Sequence, residues 1–198
     1  MLESLSTLLL GYFIGAFPSA FLLGKLKGQN IFKVGSGNMG AMNTARNLGY
    51  RLGVLVLLLD LAKGALATWL GLRLFTSDVA PYSAGIGAVL GHAWSIYIRF
   101  KGGKGLATGF GVALPLYPLG GLITLALLLV LIWLLRKVNL ASFIVAVIYP
   151  VSNGLIGYWQ HSHWSLPLIL STLGIGFIVA LKHLPALRLE LQRNPKIK

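Results

Sequence analysis

The sequence lacks cysteine altogether and contains only four acidic residues among 198. The absence of cysteine excludes disulfides, thiolate nucleophiles and Cys-ligated metals. The shortage of carboxylates leaves few protein groups that could act as a general base. Charged residues make up 11% of the chain, whereas ordinary soluble domains contain about 25%. A soluble fold is therefore not expected.

Long apolar runs are present instead. Residues 105–135 and 138–181 contain no Asp, Glu, Lys or Arg, and about 20 apolar residues suffice to cross the hydrocarbon core of a membrane. The first apolar stretch, Leu5–Gly24, is too long for the core of a signal peptide and follows Glu3 rather than a basic start. We predict an all-α, polytopic integral membrane protein, with residues 1–198 forming a single membrane domain.

The hydrophobic pattern predicts seven transmembrane helices. They are Leu5–Gly24, Leu52–Leu74, Tyr82–Ile98, Gly105–Leu119, Gly121–Leu135, Val138–Tyr158 and Ser165–Leu181. The fourth and fifth could instead be one long kinked helix, but Pro115, Pro118, Gly120 and Gly121 favour a turn between them.

The basic residues favour seven spans with the N-terminus outside and the C-terminus in the cytoplasm. This topology places all 17 Lys and Arg except Lys63 and Arg73 in inner segments, as the positive-inside rule requires. A merged fourth and fifth helix would move seven of them outside. Because the basic residues lie in short loops between spans, the net charge of +13 favours anionic ligands or lipids over nucleic acid.

Glycines recur at a spacing that lets helix backbones approach closely. The three pairs are Gly11/Gly15, Gly87/Gly91 and Gly105/Gly109. Packing within one chain is favoured over a dimer interface. The oligomeric state stays open, although a monomer would suffice.

The first polar segment, residues 35–46, is rich in glycine and hydrogen-bond donors. Glycine-rich turns let backbone N–H groups surround an anion, and a following helix N-terminus adds partial positive charge. The candidate residues are Gly35, Ser36, Gly37, Asn38, Gly40, Asn43, Thr44 and Arg46. A flexible interhelical turn is the alternative. A dinucleotide fingerprint is rejected, because a predicted transmembrane helix, not a strand, precedes the segment.

The second polar segment is the run Lys101-Gly102-Gly103-Lys104 at the predicted start of the fourth helix. Two ammonium groups and flexible peptides on the cytoplasmic side suit a phosphate monoester, although basic residues that merely set topology are the alternative. His92, just upstream, is interpreted as a packing residue.

Two other groups of polar residues have no settled role. Asp60 and Lys63 share a helical face inside the second span, where ions are costly. A functional pair and a mutually neutralising structural pair are equally supported. His161 and His163 have metal-like spacing but no evident third ligand, so we predict an ordinary outer loop.

These segments together resemble the PlsY family, the acyl-phosphate-dependent glycerol-3-phosphate acyltransferases of bacteria. The family pattern G-S-G-N-x-G-x-x-N-x-x-R matches Gly35 to Arg46, and F-K-G-G-K-G matches Phe100 to Gly105. L-x-x-D-x-x-K-G looks like Leu57 to Gly64, and L-A-S like Leu140 to Ser142. The family's C-terminal H-x-x-N-I-x-R-L-x-x-G-x-E is altered, because Ala186 and Leu189 stand at its Asn and Arg positions.

The resemblance implies that acyl phosphate and glycerol 3-phosphate react at a site facing the cytoplasm of a bacterial inner membrane, without metal, other cofactor or coenzyme A. It implies catalytic roles for Ser36, Arg46, Lys104 and His183. It also implies substrate binding by the glycine-rich segment, by Lys101, Gly102 and Gly103, and by Ser142.

No residue in the sequence looks like an activated nucleophile. The predicted mechanism is therefore direct attack by the glycerol hydroxyl on the acyl carbonyl. His183 and a substrate phosphate oxygen both remain candidates for the base. Rival functions are a transporter or channel for an anionic phosphorylated solute and a non-catalytic lipid-binding scaffold.

Overall fold

The computed structural model describes residues 2–161 and 164–192. Within these ranges the chain is helical and contains no strand, only an isolated bridge between Ser95 and Lys101, so the all-α prediction is confirmed. The α-helices are α1 (Leu2–Gly15), α2 (Ser19–Leu26), α3 (Ala41–Leu48), α4 (Tyr50–Leu74), α5 (Ala80–Ala93), α6 (Leu106–Leu116), α7 (Pro118–Leu135), α8 (Val138–His161) and α9 (Leu166–Gln192).

The chain divides into two compact units. Unit 1 is Met1–Leu116 and unit 2 is Tyr117–Lys198. The boundary lies where the sequence predicts a turn, since α6 ends at Leu116 and α7 begins at Pro118. One continuous helix over residues 105–135 is therefore not formed. Organisation as a single membrane domain stays a prediction.

Among the described residues, five segments are long and apolar enough to cross a membrane. They are Leu2–Leu26, Tyr50–Leu74, Pro118–Leu135, Val138–Gln160 and Leu166–Gln192. Helices α5 and α6 have 14 and 11 residues, which at 1.5 Å per residue is shorter than the roughly 30 Å hydrocarbon core. The structure thus supports a polytopic membrane protein, while seven spans and their orientation stay predictions.

The first predicted helix is interrupted. α1 ends at Gly15 and α2 begins at Ser19, because Pro18 has no N–H and disfavours a helical conformation for Phe17. The backbone carbonyls at the break are satisfied from other elements. Lys63 Nζ donates to the Phe17 carbonyl at 3.1 Å, and the Ser95 hydroxyl donates to the Ala16 carbonyl.

Two of the three glycine pairs pack against each other within unit 1. A Cβ at Gly11 or Gly15 would overlap the carbonyl oxygen of Ala84 or Ala88 on α5. Reciprocally, a Cβ at Gly87 or Gly91 would overlap a carbonyl oxygen of α1. The prediction of packing within one chain is confirmed for these two pairs.

On α6, Gly111 is in close contact with α4, while the packing of the Gly105/Gly109 pair stays a prediction. A Cβ at Gly111 would overlap the Leu61 carbonyl oxygen of α4, and one at Gly64 of α4 would overlap the Thr108 carbonyl oxygen. α4 therefore lies close against α6.

The loops of unit 1 lie at two ends. The Glu3 carboxylate accepts a hydrogen bond from the Thr76 hydroxyl at 3.3 Å, which places the start of α1 beside the end of α4. The opposite end carries the segments that follow α2 and α5. Eight basic residues lie at or beside that end, namely Lys25, Lys27, Lys33, Arg46, Arg51, Arg99, Lys101 and Lys104.

Candidate active site

The glycine-rich loop between α2 and α3 is built around the side chain of Asn43. This amide is buried, with 6% of its surface exposed. Its Oδ1 accepts from the Ser36 backbone N–H at 2.9 Å, while its Nδ2 contacts the carbonyl oxygens of Ile31, Val34 and Asn38 at 2.9–3.3 Å. An amide has two N–H donors and two lone pairs, so its bonding capacity is used within the loop.

Neighbouring residues complete this arrangement. Asn47 Nδ2 donates to Asn43 Oδ1 at 3.0 Å, a contact that the i, i+4 spacing could have suggested. The Thr44 hydroxyl donates to the Gly40 carbonyl at 3.0 Å. Thr44 and Asn43 therefore hold the loop and the start of α3. Their predicted contact with substrate stays a prediction.

Two glycines of the loop have left-handed backbones that other residues rarely adopt. Gly35 has φ +56° and Gly37 has φ +67°. A Cβ at Gly35 would also overlap the Asn43 and Asn47 amides. Ser36, between them, is exposed and Asn38 is half-buried, so the loop presents the donor side chains near its tip. The alternative of a flexible turn does not describe a loop anchored this way.

We expect Asn43→Ala to reduce activity by about tenfold or more while the helices remain folded. Loss of the amide leaves the Ser36 N–H and three loop carbonyls without their shared partner, which costs about 1–3 kcal/mol per unsatisfied buried group. The test is turnover together with circular dichroism of the purified protein. Asn30→Ala is the matched control, because Asn30 Oδ1 accepts an exposed hydrogen bond from the Phe32 N–H in a short turn. Equal activity of the two variants would contradict the role of Asn43.

The second loop, after α5, folds back on the end of that helix. The Ser95 N–H donates to the Lys101 carbonyl at 3.0 Å and the Phe100 N–H donates to the Ser95 carbonyl at 2.8 Å. Arg99 and Phe100 have φ near +58°, an uncommon conformation for residues with side chains that often marks functional turns.

The two glycines of this loop lie against His92. The Gly103 N–H donates to the His92 carbonyl at 3.0 Å. A Cβ at Gly102 would overlap the His92 and Ala93 carbonyls, and one at Gly103 would overlap the His92 ring at Nε2. Both positions thus require glycine for close approach.

The two loops meet. The Lys101 Nζ lies 5.8 Å from the centre of the Phe32 ring, within the distance of a cation–π contact. Phe32 lies just before the glycine-rich tip, and sequence reasoning did not single it out. Lys104 is half-buried, three residues beyond Lys101. Arg46 is exposed on α3, so it is open to solvent beside the same loops.

Asp60 and Lys63 form a buried ion pair in the middle of α4. Their charged atoms are 2.8 Å apart and each residue is at most 5% exposed. The Ser19 hydroxyl also donates to Asp60 Oδ1 at 3.0 Å, and His92 Nδ1 lies 3.6 Å from the same oxygen. The two charges neutralise each other, as the structural interpretation of this pair expected. Through Ser19 and His92 the pair also connects α4 to α2 and α5.

Unit 2 carries the remaining predicted residues, Ser142 on α8 and His183 on α9. Asn139 lies against Glu190, and Ala146 lies against Gly176. Ser142 lies about halfway between Asn139 and Ala146 on α8, and His183 lies halfway between Gly176 and Glu190 on α9. Because these contacts make the two helices antiparallel, Ser142 and His183 lie at the same level along them. Both side chains are buried.

The hydrogen bonds of Ser142 and His183 bear on what each side chain could do in a reaction. The Ser142 hydroxyl has no hydrogen-bond partner among the described residues. The His183 Nδ1 lies 2.8 Å from the Val179 carbonyl, which can only accept, so Nδ1 carries a proton and Nε2 is the accepting nitrogen of the neutral ring.

Glu190 has a structural role that the altered C-terminal pattern did not reveal. Its carboxylate accepts from the Asn139 and Leu140 N–H groups at 3.3 and 3.0 Å and from Asn139 Nδ2 at 3.2 Å. The two backbone N–H groups belong to the first turn of α8, where a negative charge is favoured by the helix dipole. α9 runs on past the predicted end at Leu181 and carries Glu190 to this position. His163 and the side chain of His161 lie outside the described residues.

Comparison with known proteins identifies the family. A family model described as glycerol-3-phosphate acyltransferase matches residues 5–192. The chain belongs to the glycerol-3-phosphate acyltransferase family. A member from Prochlorococcus marinus (strain NATL1A) is 36% identical over 196 residues, which is 98% of each chain. One from Deinococcus radiodurans is 44% identical over 147 residues, which is 74% of each chain.

Solved structures of the acyltransferase PlsY agree. A crystal structure of this integral membrane enzyme in its glycerol 3-phosphate form is 28% identical to the chain, with a TM-score of 0.85, covering 98% of this chain and 96% of that one. A lysophosphatidic acid form has a TM-score of 0.80. The resemblance to PlsY seen in the motifs is thus confirmed, and the chain is a membrane-embedded glycerol-3-phosphate acyltransferase of phospholipid synthesis.

Proposed function

We propose that this acyltransferase moves an acyl group from acyl phosphate to glycerol 3-phosphate, forming lysophosphatidic acid and phosphate on the cytoplasmic side of a bacterial inner membrane. The observation that carries the proposal is the meeting of two glycine-rich, basic loops at one end of unit 1, through Lys101 and Phe32. Each loop has the chemistry of a phosphate site, and this reaction brings together two phosphate-bearing molecules.

A site that binds two phosphate-bearing molecules side by side needs positive charge. Two phosphates about 4–8 Å apart repel by roughly 2–4 kcal/mol per pair of unit charges at an effective dielectric of 20. Three cations offset this repulsion, namely Arg46 on α3 and Lys101 and Lys104 of the second loop. They also stabilise the negative charge that develops on the acyl oxygen and on the leaving phosphate.

The chemical step is a direct transfer. A glycerol hydroxyl oxygen forms a bond to the acyl carbonyl carbon, and the bond from that carbon to the phosphate oxygen breaks. The hydroxyl proton passes to a base, and the phosphate leaves with the bonding electrons. His183 Nε2 and a substrate phosphate oxygen are the two candidates for that base. Ser36 and Ser142 serve as hydrogen-bond donors that orient the substrates.

An apolar groove of about 580 Å³ in unit 1 is the proposed place of the acyl chain. Its lining consists of Phe13, Ile14, Phe17, Leu59, Ala62, Lys63, Leu66 and Tyr97. The volume is typical of small-molecule sites, which range over about 300–1,000 Å³. Tyr97 belongs to the turn that leads to Lys101, so one wall of the groove lies four residues before that lysine. This closeness in the chain favours the donor's own acyl chain over a bulk membrane lipid.

We expect Ala62→Phe to shift the enzyme toward shorter acyl phosphates. Each methylene that loses its place in the groove should lower kcat/KM by about fourfold, since burying one contributes about 0.8 kcal/mol. The measurement compares acyl phosphates of increasing length. Leu58→Phe is the control, because Leu58 is an exposed residue of α4 outside the groove lining. An unchanged length profile in Ala62→Phe would assign the groove to bulk lipid.

The transporter is the second candidate, and the distribution of charge argues against it. Transport sites lie near the bilayer midplane. In the described part of unit 1, the ions in the middle of α4 are Asp60 and Lys63, and they neutralise each other. Purified protein separates the functions. Phosphate release from acyl phosphate that requires glycerol 3-phosphate supports the enzyme, solute flux into liposomes without chemistry supports a transporter, and acyl phosphate binding without release supports a scaffold.

A further inference from the structure

We propose that Asp60 and His92 form a positioning device that fixes the Lys101–Lys104 loop for phosphate binding. The inference rests on the proposed function of that loop. Neither residue is assigned a direct contact with substrate. Their effect passes through the backbone of Gly102 and Gly103.

The first step is the anchoring of His92. Asp60 Oδ1 lies 3.6 Å from His92 Nδ1, 2.8 Å from Lys63 Nζ and 3.0 Å from the Ser19 hydroxyl. All four side chains are at most 5% exposed. A buried carboxylate held by three elements cannot move without leaving a charge unpaired, so it is a rigid support for the imidazole at the end of α5.

The second step is the contact between His92 and the loop. The Gly103 N–H donates to the His92 carbonyl, and the His92 ring occupies the space that a Gly103 side chain would fill. The backbone at Gly102 and Gly103 therefore contacts His92 directly. Lys101 and Lys104 flank the two glycines, so a shift of the ring displaces both ammonium groups. Displacements of about 1 Å at a binding group can lower rates by about 100-fold.

The geometry also explains the Phe17 carbonyl contact of Lys63. Lys63 neutralises Asp60 and at the same time satisfies the carbonyl at the α1–α2 break. It thereby allows a carboxylate to remain ionised at this depth. The ion pair supports His92, and its charge is not required to reach substrate.

The decisive experiment compares His92→Asn and His92→Gln with the parent enzyme. Asn keeps a nitrogen near the Nδ1 position facing Asp60 but vacates the space beside Gly103, whereas Gln reaches the Nε2 position. We expect His92→Asn to raise KM for glycerol 3-phosphate about 10- to 100-fold, with a smaller change in kcat and none in KM for acyl phosphate. His92→Gln should recover part of this loss. A loss confined to kcat would indicate direct catalysis and overturn the proposal.

A charge-free double variant separates positioning from folding. Asp60→Leu with Lys63→Met removes both ions together, which commonly leaves stability unchanged or improved. We expect a monodisperse, folded protein that shows the same rise in KM, with a lower melting temperature because the Phe17 carbonyl loses its Lys63 donor. Parent-like kinetics would overturn the proposal. Thr68→Val is the control for altering the interior of α4, because the Thr68 hydroxyl donates to the Gly64 carbonyl of its own helix.

Hydrogen exchange provides a readout that does not need turnover. Amides of residues 101–104 should exchange faster in His92→Asn, while those of residues 31–47 remain as in the parent. Faster exchange throughout unit 1 would mean a general structural role and would overturn the proposal. One outcome would reject the proposed function alone. If residues 101–104 exchange faster in His92→Asn than in the parent, but the parent releases no phosphate from acyl phosphate, the proposed function fails and the positioning role of Asp60 and His92 stands.

Discussion

Arg46→Ala is expected to lower turnover by about 100- to 1,000-fold, the loss typical of removing one preorganised group that stabilises developing charge. Arg46 is exposed on α3 and forms no ion pair within residues 2–161 and 164–192, so its charge is available to a ligand. It is the only guanidinium in the glycine-rich segment. The measurement is phosphate release from acyl phosphate at saturating glycerol 3-phosphate.

Two further variants identify what Arg46 contributes. Arg46→Lys keeps the charge but loses the two-pronged donor geometry that matches a phosphate, so an intermediate rate is expected. Arg51→Ala removes another exposed cation, from the first turn of α4, and should leave turnover near that of the parent. Equal losses in Arg46→Ala and Arg51→Ala would show that only the overall surface charge matters.

Lys104→Ala is expected to have the second large effect, a loss of about 100-fold or more in kcat/KM for glycerol 3-phosphate. Lys104 is half-buried directly after Gly103, whose N–H is fixed to the His92 carbonyl. A charge partly removed from water interacts more strongly than an exposed one. The measurement is the dependence of initial rate on glycerol 3-phosphate concentration.

Lys101 is the matched comparison, because it lies on the same loop but is exposed. Its ammonium already faces the Phe32 ring at 5.8 Å, so Lys101→Ala should lose less than Lys104→Ala. Near-parent rates in both Lys104→Ala and Arg46→Ala would mean that the reaction takes place elsewhere, and the site assignment would be wrong.

Several predictions depended on local pattern and were confirmed. The turn at Pro118 follows from the missing proline N–H, and the packing of Gly11 and Gly15 follows from their spacing on one helical face. Membership of the acyltransferase family follows from two motifs that lie within 12 and 6 residues of sequence. Each of these properties is set by neighbours along the chain.

Other features could not be derived from the sequence in this way. The single helix predicted over Leu5–Gly24 is broken by Pro18, and the Phe17 carbonyl freed at the break is satisfied by Lys63, 46 residues later. The motif does not reveal that the Asn43 amide is bonded to the loop itself, and its contact with substrate stays a prediction. Glu190 reaches the first turn of α8 because α9 continues past Leu181.

The sequence by itself determined that this chain enters a membrane and that it carries two glycine-rich loops with basic residues, because hydropathy and glycine spacing act over one or two turns of backbone. Only the tertiary structure decided which side chains serve as supports and which stay open to a ligand. His92 became a support because close helix packing brings Asp60 to one side of its ring and Gly103 to the other. Such contacts join residues far apart in the chain, and no local periodicity encodes them.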